Sequence, residues 1–96
     1  MGGFYCDNCN LLKSLKDAPE NIGGDFRCRM CKSLTSLKGA PKEVSGEFDC
    51  SYCSSLTSLK GAPKEVGREF DCSRCGVRFT KDDVTKLSKV GGEIYV

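Results

Sequence analysis

Four copies of Cys-x-x-Cys, at Cys6/Cys9, Cys28/Cys31, Cys50/Cys53 and Cys72/Cys75, begin 22 residues apart without slippage and use all eight cysteines of the chain. A period this strict means that the chain returns to one place on successive coils of a single structure. A unit of this size cannot bury its own apolar face, so the copies must stack. The cysteines then fall into two columns along the stack.

Aligned on these cysteines, the apolar residues repeat as well. Phe4, Phe26, Phe48 and Phe70 share a position, as do Leu12, Leu34 and Leu56; Leu15, Leu37 and Leu59; Pro19, Pro41 and Pro63; and Ile22, Val44 and Val66. In Phe-x-Cys the apolar residues alternate with polar ones at period two, which places Phe and Cys on the inner face of a short strand. Stacked coils make these strands a parallel sheet. The Leu-x-x-Leu that follows is broken too soon by Gly-Ala-Pro, or by Asp17-Ala18-Pro19 in the first copy, to become a helix. An irregular or 3₁₀ return limb is expected there.

After Cys75 the pattern changes. Thr80 with Asp83 three residues on reads as a helix N-cap, Val84, Leu87 and Val90 fall along one helical face, and Gly91-Gly92 ends it. A helix over about residues 81 to 89 is expected, and Ile94 then stands in the Phe position with Val96 where a fifth cysteine would be. The fold class so predicted is a repeat solenoid: a parallel β-sheet of about five short strands, irregular return limbs and a C-terminal helix–strand cap. It forms one domain over 1–96, with repeats at about 3–24, 25–46, 47–68 and 69–92 and a cap at about 77–96.

The core of 96 residues without Trp is modest, so a further source of stability is expected. No apolar run is long enough to span a membrane, and Met1-Gly2-Gly3-Phe4 carries no charged and then apolar leader. These features lead us to expect a soluble, cytoplasmic protein. In a reducing compartment, paired Cys-x-x-Cys reads more naturally as metal ligation than as disulfides. Stacked pairs need only a small convergence to surround zinc. Two structural Zn2+ ions are expected, one held by Cys6, Cys9, Cys28 and Cys31 and the other by Cys50, Cys53, Cys72 and Cys75. Buried reduced thiols, disulfides and an iron–sulfur cluster are the competing readings of the same columns. The formal charge of +2 would fall to about −2 once eight thiolates bind two zinc ions. With no His, and no open position on a four-thiolate zinc, the chain offers no catalytic constellation and is not expected to be an enzyme.

The residues Phe48-x-Cys50-x-x-Cys53-x-x-Leu56-x-x-Leu59 resemble the leucine-rich repeat L-x-L-x-x-N/C-x-L, and Ser58-Leu59-Lys60-Gly61-Ala62-Pro63 resembles a short subtype found in tailed-phage and bacterial proteins. The likeness covers about residues 3 to 76. It departs from the subtype at the ladder position, where Cys stands in place of the usual Asn and the next Leu follows one residue later. Cys72-x-x-Cys75-Gly76 also resembles a zinc knuckle. The resemblance implies a leucine-rich-repeat solenoid that binds proteins, and a phage-encoded inhibitor or modulator of a host protein in the host cytoplasm is the role it suggests.

Positions that vary while the frame repeats are the candidate partner-binding residues. These are Tyr5, Arg27, Asp49, Asp71 and Tyr95 outward on the strands, with Met30, Tyr52 and Arg74 between the paired cysteines. The alternative is a zinc-ribbon-like nucleic-acid-binding or transcription-regulating protein using Arg27, Arg29, Arg74, Arg78 and the lysines at 16, 38, 60, 42 and 64. Against it stands an acidic run at Asp25, Glu47, Glu69 and Glu93, and the lysines read as a solubilising edge. The open sheet edge at residues 3 to 6 allows either a monomer or an edge-paired dimer.

Overall fold

The structure is a computed structural model that describes residues 3–16 and 18–96. Met1 and Gly2 of the leader reading, and Asp17 of the first return limb, lie outside the described residues. Nine two-residue strands and one short helix follow in the order β1 (Phe4–Tyr5), β2 (Asn21–Ile22), β3 (Phe26–Arg27), β4 (Glu43–Val44), β5 (Phe48–Asp49), β6 (Glu65–Val66), β7 (Phe70–Asp71), α1 (Lys81–Thr85), β8 (Lys89–Val90) and β9 (Ile94–Tyr95) among the described residues. They form a parallel β-solenoid with two sheets, one of five strands in the order β1-β3-β5-β7-β9 and one of four in the order β2-β4-β6-β8.

Register follows the 22-residue period. Phe4, Phe26, Phe48, Phe70 and Ile94 stand in one row across the larger sheet, so the fifth strand forms where Ile94 takes the Phe position. Backbone bonds from Phe4 N to Asp25 O, Phe26 N to Glu47 O and Phe48 N to Glu69 O, each 2.8 Å, join successive coils. Inside, the rings of Phe4, Phe26 and Phe48 stack with centroids 4.7 and 5.1 Å apart, and Phe70 packs on Phe48 at 5.1 Å with its ring tilted by 41°. Phe26, Phe48, Leu34, Leu37 and Leu56 are wholly buried around this stack. One aromatic per coil thus forms a continuous column through the core, with two Leu and a Val packed around it in the middle coils.

The return limb is more regular than its sequence suggests. After each proline the chain extends for two residues, Glu43 outward and Val44 inward, before Ser45 and Gly46 turn it back, and these pairs make the smaller sheet. A single alternation is too short to announce a strand; bonds from the neighbouring coil create it, as from Ser45 N to Ile22 O at 2.9 Å and Gly67 N to Val44 O at 2.8 Å. Gly61 is required in this limb. Its φ is +93°, and a Cβ there would lie 2.5 Å from the Cα of Lys38 in the coil before.

The C-terminal helix is capped as expected. Thr80 accepts from Asp83 N at 3.1 Å, and Asp83 accepts from Thr80 N at 2.8 Å. It ends at Thr85 rather than near residue 89, because Lys89 N bonds to Lys64 O and Gly91 N to Val66 O, both at 2.8 Å. Val90 therefore sits in register with Val66 instead of on the helical face, and Leu87 is 46% exposed while Val84 is buried. Inter-coil bonding prevails over a helix too short to be stable alone.

Phe48→Ala is expected to cost about 3–5 kcal/mol, since the buried ring packs against Phe26 on one side and Phe70 on the other. Ile94→Ala, at the half-buried end of the same row, should cost less than half as much. Urea denaturation of the two variants measures the difference.

Candidate functional site: the cysteine ladder and the outer sheet face

The first cysteine of each pair ends a strand, and in a regular parallel ladder its carbonyl would accept the next N–H of the following coil. That N–H is diverted. Ser51 N bonds to Asp49 Oδ1 at 3.0 Å, Ser73 N to Asp71 Oδ1 at 3.0 Å and Arg29 N to Asp7 Oδ1 at 3.4 Å. The carbonyl is taken instead by the second cysteine of the next coil: Cys31 Sγ donates to Cys6 O at 3.0 Å, Cys53 Sγ to Cys28 O at 3.1 Å and Cys75 Sγ to Cys50 O at 3.1 Å. A buried carbonyl without a partner costs about 1–3 kcal/mol, so these thiols replace a missing rung.

Sulfur contacts consequently run diagonally between coils. Hydrogen bonding to Cys53, followed by burial, pushes the Cys28 thiol up, and the same bond lowers Cys53. Cys50 is raised by its bond to Cys75 and by burial, with Cys75 lowered in turn. Burial pushes Cys72 up to about 12 and also raises Cys31. Cys6 and Cys9 are joined in a disulfide, and the other six cysteines are free.

The two zinc quartets read from spacing are not shown by this arrangement. Cys28 pairs with Cys53 and so crosses from one expected quartet to the other, and Cys6 and Cys9 are bound to each other. Among the described residues no group of three or more His, Cys, Asp or Glu is placed to hold a metal ion.

The outer face of the larger sheet carries the variable residues. Tyr5, Arg27, Asp49, Asp71 and Tyr95 stand in one register row. Tyr5, Tyr52 and Tyr95 are 59%, 45% and 48% exposed. Asp49, expected to face solvent, is only 8% exposed. Its carboxylate accepts from Ser51 N and Oγ and lies 3.6 Å from Arg29 Nε, which leaves it little room for water. Arg27 pairs with Asp7 at 3.4 Å and sits 5.8 Å over the Tyr5 ring; Arg29 sits 5.9 Å over Tyr52.

Asn8, Met30, Tyr52 and Arg74 all take left-handed backbone, with φ of 62°, 58°, 60° and 58°. Only Asn is suited to it, and the other three each carry a penalty of about 1 kcal/mol. The one sequence signal for this column was Asn8 in the first copy. Alongside runs the acidic row Asp25, Glu47, Glu69 and Glu93, in which burial and the charges of Asp25, Asp49 and Glu69 raise the Glu47 carboxyl. The exposed Lys16, Lys38 and Lys60 lie on the return limb instead.

No family model matches this chain, and comparisons with curated proteins and with solved structures find no match either. Among the described residues no helix is long and apolar enough to cross a membrane.

Cys53→Ala should destabilise by about 1–3 kcal/mol, because it leaves Cys28 O without its donor, and denaturant titration reads the loss. A second expectation concerns pH. The raised Glu47 carboxyl means that the folded state favours its protonated form: this contribution is complete below the ordinary carboxylate range and lost as pH rises through the raised value. Glu47→Gln should therefore raise the melting temperature at pH 7 and leave it unchanged near pH 3.

Proposed function

We propose that the chain is a leucine-rich-repeat-type solenoid that binds a protein through the outer face of its five-stranded sheet, and that the surface it contacts on that partner is basic. The left-handed column carries this reading. Met30, Tyr52 and Arg74 occupy positions where Gly or Asn would be more stable, and strain of this kind is kept where the side chain has work to do. Met, Tyr and Arg are also types enriched at interface centres. The acidic row beside them supplies the charge, which steers a cationic partner and fixes its orientation. Support for the repeat type comes from the thiol-to-carbonyl bond, since the ladder position of the resembling pattern takes Asn or Cys.

Nucleic acid is the poorer occupant. Arg27 and Arg29 are engaged by Asp7 and Asp49, and the acidic row would repel phosphates. Within the same reading, modulation of a host protein is the role that the phage-like resemblance implies.

The test compares three immobilised forms of the full chain against a set of purified basic and acidic proteins and a labelled oligonucleotide. A basic protein should be retained by the native chain and by the return-limb variant Lys38→Ala/Lys60→Ala, and at least about tenfold more weakly by Tyr52→Ala/Arg74→Ala. Equal retention by all three forms, or retention of the oligonucleotide with steep loss at raised salt, would overturn the proposal.

A further inference from the structure

We propose that the groove between the third coil's return limb and the C-terminal helix binds a small amphiphilic anion, a carboxylate on an aliphatic chain. None of its lining residues belongs to the outer sheet face.

The groove exists because the fourth unit departs from the repeat. Arg78 and Lys81 stand 22 residues after Leu56 and Leu59, so this limb has no leucines to lay against the coil before it. Phe79 and Val84 are buried instead, and the chain turns into α1. A cavity of about 510 Å³ remains between Leu59 and Lys60 on one side and Val77, Arg78, Phe79, Lys86 and Leu87 on the other. That volume suits a small ligand.

One backbone donor is left over there. Leu15 N donates to Lys38 O at 3.2 Å and Leu37 N to Lys60 O at 3.0 Å, each reaching the following coil. Leu59 holds the same position in the repeat, but its N–H takes no backbone acceptor among the described residues. The carbonyl due to meet it is that of Asp82, 22 residues after Lys60, and α1 uses this carbonyl for Lys86 N at 3.0 Å. A donor that the repeat satisfies twice is thus left to the groove, where an acceptor is wanted.

Charge selects an anion. Lys60, Arg78 and Lys86 are exposed in the lining, and among the described residues none of them is in an ion pair. Asp83, the one carboxylate among the described lining residues, already accepts from Thr80 N. Apolar surface selects the rest of the ligand: Val77 and Leu87 are 42% and 46% exposed beside buried Leu59 and Phe79. A carboxylate accepts from Leu59 N and meets the cations through charge-assisted bonds, while its aliphatic chain covers Val77 and Leu87. A bare inorganic anion would leave those side chains in water.

The isotope-labelled full chain is titrated with octanoate, and with octanol and octylamine as neutral and cationic probes of the same length, while amide resonances are followed. Octanoate should saturate a single site, move the Leu59 amide proton downfield and shift the amides of Val77, Phe79 and Leu87. Octanol and octylamine should bind at least about tenfold more weakly. Arg78→Gln/Lys86→Gln should weaken octanoate by a similar factor with the melt retained, whereas Lys38→Gln/Lys42→Gln on the neighbouring limb should leave its binding unchanged. Shifts that never saturate, equally tight binding of octylamine, or shifts centred elsewhere would overturn the proposal. So would tighter binding of the acetylated peptide Leu-Glu-Leu-Glu, which would make the groove a peptide site. Groove shifts that grow with protein concentration alone would place a second copy there and overturn it too.

Discussion

A thiol proton resting on a backbone carbonyl, repeated from coil to coil, lets the two halves of each turn coexist. At the end of β3, β5 and β7 the chain leaves the sheet for the return limb, and Asp7, Asp49 or Asp71 draws off the next N–H. A carbonyl is left facing the interior, and the following coil must answer it. Cysteine suits that task in a narrow core because it carries one weak donor on a small apolar side chain. An Asn amide would add a second donor and an acceptor, and each would need a partner in a space otherwise filled by Phe and Leu. With one polar demand met by one donor, the rings of Phe26, Phe48 and Phe70 are wholly buried beside the ladder.

The same geometry gives the outer face its character. Since the turn after each strand is fixed by the Asp carboxylate and the thiol rung, the residue that follows is forced into left-handed backbone whatever its type. Met30, Tyr52 and Arg74 are therefore carried on a rigid frame, and the ion pairs Arg27–Asp7 and Arg29–Asp49 further limit the motion of the row beside them. Binding by a pre-ordered surface loses little conformational entropy, which is where a small face gains affinity. The acidic row Asp25, Glu47, Glu69 and Glu93 lies along the larger sheet, and Lys16, Lys38 and Lys60 are exposed on the return limb.

What could be read from sequence was whatever the 22-residue period or local chemistry determines. The Phe row, the fifth strand at Ile94 and the Thr80–Asp83 cap belong to this class. The smaller sheet does not, because Glu43–Val44 and Glu65–Val66 contain one alternation each and become strands only through bonds from adjacent coils. Nor does the early end of the helix, where Val90 suits a helical face and a strand equally well. The cysteine columns are the instructive case. Spacing places sulfurs in two columns whether they point at a metal or at carbonyls, and the distinction depends on where one backbone N–H goes. Asp49-Cys50-Ser51 and Asp71-Cys72-Ser73 hold that information two residues before the diverted amide, where a side-chain acceptor competes with the sheet.

A strictly periodic chain ought to have no special coil, since every unit meets the same neighbours. Its ends break that equivalence. The last coil meets the problem with apolar substitution, as Ile94 and Val96 stand where Phe and Cys would be. In the first described coil Cys6 and Cys9 are joined to each other, whereas Cys31, Cys53 and Cys75 each rest on a carbonyl of the coil before. One motif at one spacing thus takes two arrangements within a single stack.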